Sequence, residues 1–147
     1  MTFDKVASMV DPQLLAAYRK TSFIVEGPES EAILLVGELN PAVDALLERY
    51  GARQCAFLTA WNPHSKRLEA HDNRLRQDGL VEAVRRSGRP FLRGRGVGKD
   101  SDWPAEDSIL VIGVDRVAAL ELGRAFGQAA IVFKEMHHPV ELLLCEP

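Results

Sequence analysis

Side chains able to bind or react gather at a few points of the sequence. The stretch QCAFLTAWNP, residues 54–63, ends an apolar run in Thr59, Trp61 and Asn62. Further on, Asn73, Gln77, Leu80 and Val84 recur at spacings of four, three and four, which is one line along a helix, so two amides share a face with two apolar anchors and Arg76 stands beside them. A surface helix with scattered amides has the same pattern. Arg93, Arg95 and Lys99 alternate with glycines in RGRGVGK, and Glu106, Asp107 and Ser108 follow Trp103-Pro104. Gln128 comes at a helix-to-strand junction beside apolar neighbours. Such residues offer hydrogen bonds to the edges of a planar ligand, guanidinium contacts to an anion, a tryptophan to stack on a ring and, in Glu106, one acid or base.

Several common chemistries are excluded by spacing. The Arg93–Lys99 run lacks the first glycine of a phosphate-binding loop and has Asp100 where Ser or Thr is needed. His64 and His71 are seven apart, His137 and His138 are adjacent, and none stands at ligand spacing from Cys55 or Cys145, so no metal or other cofactor is expected. Thr59, Ser108 and Cys55 are potential nucleophiles, but no G-x-S-x-G elbow surrounds the serine. Thus the sequence names no reaction.

Charge is unevenly placed. Between His64 and Lys99 there are ten Lys or Arg against four Asp or Glu, a local +6 in a chain of net −3. From Arg85 to Lys99 six cations occur with no acid between them. A solvated helix end and loop would look like this; so would a surface for a small anion or, against the overall acidity, for nucleic acid.

The elements that position these residues are legible at several points. Asp11-Pro12 starts a helix that ends near Lys20. Ser22–Glu26 and Ala32–Val36 read as an antiparallel hairpin turning at 27–30. Asn40 caps a helix with Pro41 in its first turn, apolar residues at Val43, Leu46 and Leu47, and Gly51 at its end. Residues 55–58 form a run too short for a helix and too apolar for a one-sided strand, which predicts a central strand stopped by Asn62-Pro63. A helix is expected within 65–87, unbroken or interrupted at Asp78-Gly79. Residues 89–102 read as a loop, mobile in part, with at most a short strand at 90–92. A buried strand at 106–114, a helix after Asp115 ending at Gly127, and strands at 129–134 and 140–145 complete the order.

These elements predict one α/β domain over residues 1–147, bordering on α+β: a mixed β-sheet with helices packed on it. Parallel pairing is expected in the middle, where connections are long enough for helices, and antiparallel hairpins at the ends. At 147 residues with 46% hydrophobic and 27% charged residues the chain has an ordinary globular composition. No run is long enough to span a bilayer, Asp4 and Lys5 interrupt any secretory leader, and two cysteines in apolar segments suit a reducing cytoplasm.

Taken together, TAWNP at 59–63, Asn73 and Arg76, Trp103 with Glu106 and Ser108, and FGQAAIV at 126–132 resemble the domain of unknown function 3293, a family of small single-domain bacterial proteins. The likeness extends over most of the chain, from Tyr18 to Leu143. It implies a bacterial source and that Thr59, Asn62, Asn73, Arg76, Trp103, Glu106 and Gln128 belong together, but it supplies no substrate. The expectation is a pocket at the strand tips for a small anionic or nucleotide-like molecule. In it Trp61 or Trp103 stacks, Thr59, Asn62, Asn73, Ser108 and Gln128 line the site, and Arg76, Arg93, Arg95 and Lys99 meet the charge. Nucleic-acid binding at 85–99, and a protein-interaction module using a sheet edge, are the alternatives.

Overall fold

The computed structural model describes residues 12–99 and 104–145. Helix α1 (Pro12–Arg19) leads into the hairpin β1 (Thr21–Glu26) and β2 (Glu31–Leu34), then α2 (Pro41–Arg49) and β3 (Gln54–Leu58). A single 3-10 turn, Pro63–Ser65, precedes α3 (Ala70–Ser87), β4 (Phe91–Gly98), β5 (Glu106–Ile112), α4 (Arg116–Ala125), β6 (Ala130–Glu135) and β7 (Glu141–Leu144). Two helix starts are built as their sequences demand. Asn40 accepts the Val43 N–H at 3.0 Å ahead of Pro41, and Asp115 accepts the Ala118 N–H at 2.8 Å. The Asp11 cap lies outside the described residues. Helix α3 runs unbroken through Gly79, whose hydrogen faces the Phe126 ring, with room for no more than ordinary contact there.

The strands form one seven-stranded sheet in the order β2-β1-β4-β5-β3-β6-β7. Its α/β character, its helices packed on one sheet and its antiparallel terminal hairpins are as expected. Every pairing is antiparallel, however, including the central β3–β5 and β3–β6, so the parallel middle is corrected. The physical reason is interleaving. Each helical crossover does join strands of the same direction, β3-α3-β4 and β5-α4-β6, but β5 is inserted between the first pair and β3 between the second. That is the split β-α-β arrangement of ferredoxin-like folds, extended here by a hairpin at one edge and a strand at the other.

Both faces of the middle strands are covered. Leu80, Val81 and Val84 of α3 and Ala119 of α4 pack on Ala56, Leu58, Ile109, Val111, Ile131 and Phe133. On the opposite face Val43 and Leu47 of α2 meet Cys55, Phe57, Leu110, Ile112 and Val132. Period-2 alternation across a two-sided core accounts for the uninterrupted apolar run of β3.

The stretch expected to be a loop at 89–102 is largely strand β4, paired to β1 and β5 along its length. Its alternating glycines belong to a strand rather than to a mobile loop. A Cβ on Gly94 would collide with the carbonyl oxygen of Ile24 and come within 2.8 Å of the Phe57 ring. Gly96, two residues on, is less confined, since a Cβ there would meet Phe23 and Thr21 at 3.8 Å, ordinary contact. At Gly94 the strand glycine marks a close approach, and the same alternation turns Arg93 and Arg95 to the other face. No helix among the described residues is long and apolar enough to cross a membrane.

Candidate functional site

Strand β3 ends at Leu58, and the chain then turns sharply at the sheet's end. Asn62 (φ 47, ψ 60) and His64 (φ 57) both adopt the left-handed conformation on either side of Pro63. For asparagine before proline this backbone is sparsely populated, and surroundings must over-determine it. They do. Gln77 Oε1 accepts the Ala60 N–H at 2.9 Å, and Arg76 Nε donates to the Ala60 carbonyl at 3.1 Å. The Trp61 N–H reaches Thr59 Oγ1 at 3.0 Å, while Gln128 Nε2 donates to the Trp61 carbonyl at 3.0 Å. Asn73 Oδ1 accepts the Asn62 N–H at 2.8 Å, and the His64 N–H bonds the Gly127 carbonyl at 2.6 Å.

Side chains brace one another behind this turn. Asn73 Nδ2 donates to Asn62 Oδ1 at 2.9 Å, which also accepts the Leu68 N–H at 2.9 Å. Asn62 Nδ2 donates to Glu106 Oε2 at 2.9 Å. The Thr59 hydroxyl donates to the Asp107 carbonyl at 2.6 Å, tying β3 to β5. Arg76 also donates to the Phe126 carbonyl at 2.9 Å, so one guanidinium ties the turn to the end of α4. Gly127 (φ 72) permits this closeness, since a Cβ there would sit 2.7 Å from Pro63. Asn62, Asn73, Gln77 and Gln128 are all buried, and each makes at least one of the hydrogen bonds above, as buried polar side chains do; Gln77 Nε2 has no partner among the described residues.

The residues singled out by sequence thus divide. Thr59, Trp61, Asn62, Asn73, Arg76, Glu106 and Gln128 come together at the sheet's end. Ser108 is buried and donates to the Glu106 carbonyl at 3.0 Å. Trp103 lies outside the described residues. Arg95 is engaged with Glu31 at 3.0 Å and Glu26 at 3.7 Å beside the β1–β2 turn, Arg93 is exposed on the same strand face, and Lys99 is exposed past the end of β4. Elsewhere in the basic run Arg86 pairs with Glu82 and Arg85 lies over the Phe91 ring. Gln77 was visible on the amide line of α3; its carbonyl-to-backbone role carries no sequence signature. Beneath the sheet, burial first and then the charges of Glu106 and Cys145 hold the Tyr18 phenol well above its usual range, offset in part by a hydrogen bond to the Ala130 backbone.

Outside the turn lies an open cleft of about 490 Å³, walled by Trp61, Asn62, Leu68, Asn73 and Pro104, with Arg67 and Glu69 among its lining. Its volume is within the usual range of small-molecule sites. Arg67, Leu68 and Pro104 had no motif to announce them. A separate hollow of about 310 Å³ between α3 and α4, walled by Ala83, Ala118, Leu122 and Ala125, receives none of the network's side chains. No group of three or more His, Cys, Asp or Glu suited to a metal occurs among the described residues.

Comparison with known proteins places the network in a family. The family model described as "Protein of unknown function (DUF3293)" matches residues 58–131, from the end of β3 through α3, β4, β5 and α4 into β6. This is narrower than the likeness over residues 18–143, but it contains every residue of the turn network from Thr59 to Gln128. No curated protein and no solved structure matches the chain. Half of the chain is covered by that model, and the chain belongs to the DUF3293 family.

Proposed function

We propose that the cleft beside Trp61 binds a small molecule with a flat ring and an anionic, acceptor-bearing edge, of which a nucleotide-like ligand is one kind. The observation that carries this reading is the investment in one turn. Five residues, Thr59, Asn73, Arg76, Gln77 and Gln128, turn side-chain polar groups to the backbone of Ala60–Asn62, in a turn that is left-handed at Asn62 and His64, and that turn forms a wall of the cleft. Strain held in place by a dense network is characteristic of ligand-binding segments. Trp61 is offered at the cleft as a stacking surface, and of the network's side chains Glu106 is the one with acid–base capacity, oriented by Asn62.

A thermal-shift screen against nucleotides, sugar phosphates and acidic metabolites tests the proposal, with Trp61→Ala in parallel. A compound at a hundredfold over its dissociation constant adds about 2.7 kcal/mol, roughly 5–10 °C in Tm for a domain of this size. A shift present in the wild type and absent in Trp61→Ala supports the cleft. A shift retained in Trp61→Ala moves binding elsewhere. With no shift from any compound the cleft reading is withdrawn, and binding assays with nucleic acid and protein partners follow.

A further inference from the structure

Helices α3 and α4 cover only part of their side of the sheet. Their core takes in β5, β3 and β6, with Phe91 of β4 and Leu143 of β7 at its margins. On β1, β2 and β4 the residues that join the opposite core are Phe23, Val25, Ala32, Leu34 and Leu92. Alternation therefore turns Ile24, Ile33, Arg93, Arg95 and Val97 to the α3 side, and none of these belongs to either core. Ile33 is 49% exposed. Ile24 pairs with it on one side and with Arg95 on the other, and Val97 lies opposite Ser22. Such a face, apolar at its centre and with no described helix over it, is one that a second layer would bury.

Charge on this face selects the layer. Glu31 and Glu26 stand on β2 and β1, Arg93 and Arg95 on β4, and Asp107 on β5 opposite Arg95. Acids outnumber cations there, which counts against a polyanion such as nucleic acid. Arg95 is paired within the chain to Glu26 and Glu31, whereas Arg93 is exposed and has no ion pair or hydrogen bond among the described residues. Continuing the Val25–Gly94 register sets Glu26 level with Arg93. A two-fold axis parallel to the strands and between β1 and β4 would lay β1 of one copy on β4 of the other, so that Glu26 meets the partner's Arg93 twice and Ile24 lies along the aliphatic stem of the partner's Arg95. An axis across the strands would instead stack β4 on β4 and set cation on cation. We propose that the open face of β2, β1 and β4 is the interface of a homodimer, with Glu26 of each copy against Arg93 of the other. The patch measures about 14 Å across the strands and about 20 Å along them, the low end of specific interfaces, so dissociation on the order of 10 µM is expected.

Sedimentation velocity between about 1 and about 300 µM, on wild type, Arg93→Glu, Glu26→Arg and an equimolar mixture of the two variants, tests the proposal. Both positions are exposed, so each variant is expected to fold, as circular dichroism checks. Each alone sets like charges together at both contacts, and each is expected to stay monomeric where wild type is dimeric. The mixture is expected to dimerise again, because the two substituted side chains complement each other at one contact and the native Glu26–Arg93 pair forms at the other. Mixing repairs nothing within either chain, so recovery reads the contact between copies. Wild type that is monomeric at about 300 µM overturns the proposal and returns the face to a different protein partner. A wild-type dimer that both single variants retain places the contact elsewhere and overturns it too. Monomeric variants that remain monomeric when mixed overturn the Glu26–Arg93 pairing and with it the axis.

Discussion

Asn73→Ala is the perturbation that most directly tests whether the buried amides hold the turn. Asn73 is 1% exposed. Its Oδ1 accepts the Asn62 N–H at 2.8 Å, and its Nδ2 donates to Asn62 Oδ1 at 2.9 Å and to the Leu68 carbonyl at 3.3 Å. Alanine strands the Asn62 N–H in the interior, at a cost of about 1–3 kcal/mol, and removes two further bonds of roughly 1 kcal/mol or less each. The gain in helix propensity from Asn to Ala returns only about 0.5 kcal/mol. The expected net loss is about 3 kcal/mol, or roughly 6–12 °C in Tm, measured by urea unfolding with the m-value as a check on two-state behaviour. Asn73→Asp sharpens the test. Its carboxylate still accepts the Asn62 N–H but faces the Asn62 and Leu68 oxygens, which repel the ionised form and accept from the protonated one, so its folded pKa is raised above the unfolded value. The folded state then binds the extra proton, and stability present below the unfolded pKa is lost as pH rises through the folded one. Asn73→Asp should therefore lie closer to wild type at acid pH than at neutral pH. An alanine variant within about 1 kcal/mol of wild type at unchanged m, or an aspartate variant whose deficit is flat with pH, would refute the reasoning.

Two further outcomes are expected elsewhere in the fold. Gly94→Ala sets a methyl against the Ile24 carbonyl and within 2.8 Å of the Phe57 ring, and because backbone is one of the two neighbours the strand must shift; a loss of more than about 2 kcal/mol in urea unfolding is expected, and a near-neutral variant would show that β4 does not lie against β1 as described. Cys55 is fully buried, and burial, opposed by Lys134 and reinforced by Asp44, pushes its pKa up to about 12. Neither Cys55 nor the equally buried Cys145 should react with a thiol reagent at pH 8 until the protein is unfolded, and rapid native labelling of either would refute that burial. A raised folded pKa also means that the contribution of Cys55 is lost only as pH climbs from the unfolded thiol value toward the folded one, on the alkaline side.

How far the sequence reaches depends on how local the deciding interaction is. Helix starts at Asn40-Pro41 and Asp115 are legible because the cap and the N–H it serves are three residues apart. The two-sided burial of β3 is legible because period-2 alternation vanishes when both faces are covered. Asn73 and Gln77 could be set on one face of α3 from spacing alone, and the motifs from TAWNP to FGQAAIV pointed to the family to which the chain belongs. What spacing could not supply is the partner. Arg76, Gln77 and Gln128 bond to backbone atoms of Ala60, Trp61 and Phe126, and a peptide carbonyl or N–H looks the same at every position of a sequence. For the same reason RGRGVGK read as a loop: glycine's freedom is a local property, whereas its use in β4 is to admit Phe57 and the β1 backbone, which only the folded sheet brings there. Strand direction followed from the length of the crossovers, but adjacency did not. Which strand is inserted between two others is settled by the fit of whole faces, with α3 and α4 on one side and α2 on the other, and that is a property of the tertiary structure.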